Sequence, residues 1–128
     1  MRKIVSALLI MLCFACVNAH AQKLNCSKFH NGTFKMTFDG KTDTVIRAGA
    51  IQTELFNNTN KGTFNVKWTD ECTYTLIPTA ETLKKETGMP PNMVVTVKIT
   101  ATAKNTYTQT ITNNLTAEVM TMDVEKIK

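Results

Sequence analysis

From residue 32 onward the chain alternates: apolar side chains take every second position in short segments, with Thr or Lys between them. A period of two puts one face of an extended strand into a core and the other into water, which an α-helix cannot do. Thr, Val and the aromatics also suit a pleated, half-buried surface. The alternation predicts a strand over 32–39 with Phe34, Met36 and Phe38 on one face, then a hairpin at Asp39-Gly40. Strands over 44–48 and 50–56 follow, broken at Gly49 by an expected bulge or sharp bend. Residues 57–62 read as a polar turn, and 63–69 and 72–77 as strands carrying Phe64, Val66, Trp68, Tyr74 and Leu76 on their core face.

Pro78 stops that run. Thr79 is placed to cap a short helix over 80–87, with Gly88 as its terminator and Pro90-Pro91 beyond. Strands over 92–103, 106–113 and 115–125 complete the chain, and 126–128 are expected to fray. About eight consecutive strands joined by short turns make an all-β antiparallel meander. Such a meander closes into a small, lipocalin-like barrel or stays a strongly curved sheet, with the one helix over an end or an edge. The expected core is Phe34, Phe38, Phe64, Val66, Trp68, Tyr74, Leu76, Val95, Val97, Ile99, Ile111 and Val119.

The first residues have a different pattern. Met1-Arg2-Lys3 is a positive start, and 4–17 is an apolar run shorter than the roughly 20 residues that cross a bilayer. It ends at Asn18-Ala19-His20-Ala21, the small-x-small pattern of a signal-peptidase site. Residues 1–21 therefore read as a secretory signal, and 22–128 as a single domain exported to the periplasm or the extracellular space. Cys16 offers an alternative: a cut before it, followed by lipidation, would tether the domain to the outer membrane.

Export sets the redox chemistry. Cys13 and Cys16 leave with the signal, and Cys26 and Cys72 remain, a pair expected to form a disulfide in an oxidising compartment. Without Arg2 and Lys3 the chain carries 13 basic and 10 acidic residues, spread singly except for Lys84-Lys85. A nucleic-acid surface would cluster them, so no nucleic-acid partner is expected. No second apolar run is long enough for a membrane span.

Catalytic and metal chemistry find little material. His30 is the one histidine after residue 21, so no multi-histidine metal site is available, and its place beside Asn31-Gly32 suits a surface or capping role. The five glycines are dispersed and build no phosphate-binding loop, and no Ser, His and carboxylate fall in a hydrolase order. Neither an enzyme nor a cofactor is expected. The polar residues that invite suspicion are Arg47, Gln52 and Glu54: Arg47 shares a strand face with Val45, and Gln52 and Glu54 share one with Phe56. On the outside they would be a cross-strand pair worth under about 1 kcal/mol. Facing inward, with the bend at Gly49 bringing the two segments together, Arg47 and Glu54 would form a polar pair able to orient a ligand. Asp70-Glu71 reads as the turn that leads into Cys72. Met120 and Met122, alternating with Val119 and Thr121, read as a strand covered on both faces or as an exposed apolar strip.

Gly32-Thr33-Phe34, Ile46-Arg47, Gln52-Thr53-Glu54, and Val66-Lys67-Trp68 running to Cys72-Thr73-Tyr74-Thr75-Leu76 resemble a group of short exported bacterial proteins. Some of that group carry a DNA topoisomerase label. The likeness covers most of 22–128, the last third only in its strand-rich character. It implies an exported β domain with a Cys26–Cys72 bond, it implies lipoproteins among the relatives, and it carries over no functional residue. The topoisomerase label finds no ATP site and too little chain here.

Two function classes fit these features. One is a non-catalytic binding module for a small apolar or amphiphilic ligand or an envelope protein, with a cavity that Arg47 or Glu54 faces. The other is an interaction protein with a fully packed core, acting through an exposed strand edge or the Met120/Met122 strip.

Overall fold

The computed structural model describes residues 23–56 and 60–128. The expected signal at 1–21, Cys16, and residues 57–59 of the expected turn lie outside the described residues. Eight antiparallel strands follow one another around a closed barrel: β1 (Gly32–Phe38), β2 (Lys41–Ala48), β3 (Ile51–Phe56), β4 (Asn60–Trp68), β5 (Thr73–Pro78), β6 (Val95–Thr102), β7 (Thr106–Asn113) and β8 (Met120–Lys126). One short helix, α1 (Ala80–Lys85), lies between β5 and β6, and a 3-10 turn over Ser27–Phe29 precedes β1. The meander therefore closes instead of remaining an open curved sheet. Closure pairs Met36 of β1 with Val124 of β8. No described strand is left with a free edge for a partner to extend.

The turns are where local sequence chemistry acts most directly. Asp39 and Gly40 have positive φ values of 49° and 73°, as a two-residue hairpin turn requires. Gly49, expected to mark a bulge or bend, instead opens a second two-residue hairpin: its φ is 59°, and Ala48 pairs with Ile51 across it. The bulge lies elsewhere, between Ile99 and Ala101 of β6, and it turns Ala101 out to solvent. Asn60, Lys61 and Gly62 belong to β4 and not to a turn. Thr79 does cap α1, accepting from Thr82 N at 3.3 Å. The helix ends at Lys85, short of Gly88, because Glu86 N already closes the last turn on Thr82 O.

Alternation selects the inward set. Phe34, Val45, Phe64, Val66, Tyr74, Leu76, Val97, Ile99 and Val124 are buried, and Trp68, Val95 and Ile111 pack half-buried beside them. Phe38 and Val119 do not belong to the core, being 50% and 62% exposed. Phe38 stands past the last β8 partner of β1, which is Met36, and Val119 lies in the loop before β8 begins. Residues 127–128 do not fray: Ile127 N donates to Thr33 O at 2.8 Å and Thr33 N donates to Lys128 O at 2.9 Å.

The two ends of the barrel differ. At one end the segment before β1 folds back as a plug. Phe29 is fully buried, Cys26 is disulfide-bonded to Cys72 in the β4–β5 turn, and Lys28 Nζ donates to Ala103 O and Lys104 O, both at 2.8 Å. The opposite end carries the β1–β2 turn, α1, and the loop between β7 and β8.

Candidate functional site

Inside the plugged end sits Arg47, only 1% exposed. It is the second-to-last residue of β2, and the register of the β2–β3 hairpin pairs it with Gln52. A guanidinium has five N–H donors in a planar fork, and here each finds an acceptor. Nε donates to His30 O at 3.0 Å, and Nη2 donates to Phe29 O at 2.7 Å and to Tyr107 Oη at 3.2 Å. Nη1 donates to Gln52 Oε1 at 2.8 Å and Tyr74 Oη at 2.9 Å. The rings of Phe34 and Tyr74 lie 4.5 and 4.7 Å from its carbon, an arrangement in which aromatic faces stabilise a desolvated cation.

No carboxylate touches this cation. Among the described residues the one ion pair is Lys85–Glu81 on the surface. The expected pairing of Arg47 with Glu54 is instead indirect: Gln52, 3% exposed, accepts from Arg47 and donates through Nε2 to Glu54 Oε1 at 2.9 Å. Of the two placements open to this trio, the inward one is the one adopted. Burial pushes the Glu54 carboxyl above its ordinary value, partly opposed by the bond from Gln52, with Asp43 adding to the rise and Arg47 opposing it. Burial also holds the Tyr74 phenol neutral, against the pull of Arg47.

His30 has a structural place at the edge of the plug. Its ring stacks on Trp68 with centroids 3.6 Å apart, and Nε2 lies 2.7 Å from Glu71 O, so the proton is on Nε2. The turn expected at Asp70-Glu71 is held by Asp70 Oδ1, which accepts from Cys72 N at 2.8 Å and draws the Asp70 pKa down. Among the described residues no three of His, Cys, Asp and Glu come together as a metal site, and no helix is long and apolar enough to cross a membrane.

Between Arg47 and the opposite end the barrel is not filled. A cavity of about 330 Å³ runs through the middle, walled by Val45, Phe64, Leu76, Val97 and Ile111 and bordered by Met36, Met89, Met93, Met120 and Met122. Arg47, Gln52, Tyr74 and Tyr107 form its polar floor, and Glu54 stands in one wall. Met120 and Met122 thus face this space and form no exposed strip, because β8 starts at Met120 and the period of two then turns 120, 122 and 124 inward. Methionines are flexible and polarisable and fit ligands of varied outline. Across the barrel, on β7, Gln109 is 3% exposed and lines the same cavity. Its Oε1 has no hydrogen-bond partner among the described residues.

Tyr107, Gln109 and Phe29 were not singled out by sequence reasoning. The first two carried a signal: Tyr107, Gln109 and Ile111 alternate with Thr106, Thr108 and Thr110, which fixes them on one face. Phe29 carried none, since it precedes the first strand. Compared with known proteins, the chain matches no family model, no curated protein sequence and no solved structure. Function must therefore be read from the barrel's own interior.

Proposed function

We propose that this chain is an exported binding module that holds a compact apolar or amphiphilic ligand inside its barrel. The unfilled cavity of about 330 Å³, apolar in its walls and polar at its floor, is the observation that carries this reading. Small-molecule sites have this form, and their volumes run from about 300 to 1,000 Å³. The size favours one short chain or a small ring system over a two-chain lipid. A non-catalytic role fits the polar inventory, because the floor donors of Arg47 are all engaged by protein acceptors and Glu54 stands without a partner base.

Export is supported by the signal pattern at 1–21 and by the Cys26–Cys72 bond, which persists in an oxidising compartment. The mass of the chain recovered from a bacterial envelope separates a cut after Ala21 from lipid on Cys16. Native mass spectrometry of the same sample tests the ligand reading: a bound adduct is expected, as is uptake of a naphthylamine probe that Leu76→Trp abolishes by filling the cavity. Absence of both would end it. A protein partner at the open end is the second reading, favoured by Phe38, Leu115 and Val119, which stand exposed on the turns there. It expects Phe38→Ser to abolish a co-purifying protein while leaving probe uptake intact.

A further inference from the structure

We infer that the head of the ligand donates hydrogen bonds and carries no negative charge, as an alcohol or a primary amide does. This deepens the interior-ligand reading above and rests on it.

Gln109 supplies the first half of the case. Its main chain is fixed in β7, opposite Ile99 of β6 and Met122 of β8. Its Nε2 lies 3.6 Å from Met36 Sδ. A thioether has no donor of its own, so the NH₂ end of the amide turns to the sulfur and the carbonyl end is left over. That oxygen is buried and accepts nothing from any described residue, and Gln109 is one of the residues that line the cavity. A buried acceptor without a donor is rare in a folded protein and unfavourable, and a ligand hydroxyl or amide N–H in the cavity is the group that would satisfy it.

The charge distribution supplies the second half. A fatty-acid site offers its carboxylate free cationic donors. Among the described residues the one cation lining the cavity is Arg47, and all five of its N–H groups end on protein acceptors. Glu54 stands in the wall, with Asp43 near enough on β2 to raise its pKa. An anionic head would find every N–H of that cation already engaged and would meet acidic groups on that side. An uncharged donor has an acceptor on either side, Gln109 Oε1 on β7 or the Glu54 carboxyl on β3, strands that face each other across an eight-strand barrel.

The test titrates the exported protein, loaded with the naphthylamine probe, with decanol, decanoate and decyl methyl ether. These share a chain and differ in having a neutral donor, a negative charge, or an acceptor alone. Decanol is expected to bind about tenfold or more tighter than either. Gln109→Leu is expected to lower decanol to the level of the ether while leaving the ether unchanged. Decanoate or the ether equal to decanol on the wild-type protein would overturn the inference, whether or not the variant folds. So would failure of all three to displace a bound probe, which would still leave an interior site. A probe that never binds would remove the site and this inference together.

Discussion

The two ends of this barrel handle polarity in opposite ways. At the plugged end the most difficult group to bury, a guanidinium, has every donor engaged, and the engaging atoms come from four separate elements. Toward the open end a far easier group, the amide of Gln109, has its oxygen engaged by nothing in the described chain. Filling the plugged end with the chain's own atoms makes it part of the fold. The other side is left unfilled, walled by apolar residues and bordered by methionines, and it is this space that the proposed ligand would occupy. The difference shows that a buried charge is compatible with stability when it is fully bonded, and that an unbonded neutral group tells more about function.

Breaking the plugged end should therefore cost most. Arg47→Leu leaves two main-chain carbonyls and the Gln52 amide oxygen without donors, each at about 1–3 kcal/mol, for a loss of roughly 5 kcal/mol. The urea midpoint reads it, and a loss under about 1 kcal/mol would show that the network is ornamental. Cys72→Ser comes next. The bond spans a sequence separation of 46 residues, and releasing a loop of that size from its constraint costs about 4 kcal/mol. An unchanged melting temperature would show that the plug holds without it.

Glu54 sharpens the comparison with a smaller effect of opposite sign. Its folded pKa is raised above the ordinary 4.5, so the native state holds the proton more tightly than the unfolded chain does. Stability from that group is fully present below the unfolded value and is lost as pH rises through the folded one. Glu54→Gln, which keeps an oxygen for Gln52, is expected to raise the melting temperature at neutral pH and to remove this decline; a decline of the same size in the variant would assign it to other groups. The smallest change is expected from Phe38→Ser at the open tip, within about 0.5 kcal/mol, since half of that ring is already in water. A large loss there would mean that the open end is packed more firmly than its exposure suggests.

Much of the barrel was legible because a strand's period of two is written into local sequence. It placed Arg47, Gln52 and Glu54 on definable faces, although not the choice of inside over outside. That choice depends on closure, a property of eight strands together. The alternation also misassigned Phe38 and Val119, because it does not show where a neighbouring strand stops covering. Phe29 reaches Arg47 only through folding of the plug, and Tyr107 only because the closed barrel brings β7 across from β2, at sequence separations of 18 and 60 residues. The cavity itself is a matter of volume, and no residue pattern encodes it.

The pairing of β1 with β8 has a consequence in time. The wall joins β1 to β8, and Thr33 is bonded to residues 127 and 128, which follow β8. Loop closure over that span must precede the contacts that reward it, so assembly is slow for a domain of this size. A chain emerging N-terminus first from a ribosome has no way to complete the barrel until β8 is free. Until then β1 and β7 each lack a neighbour, and the wall of the cavity stands open on that side.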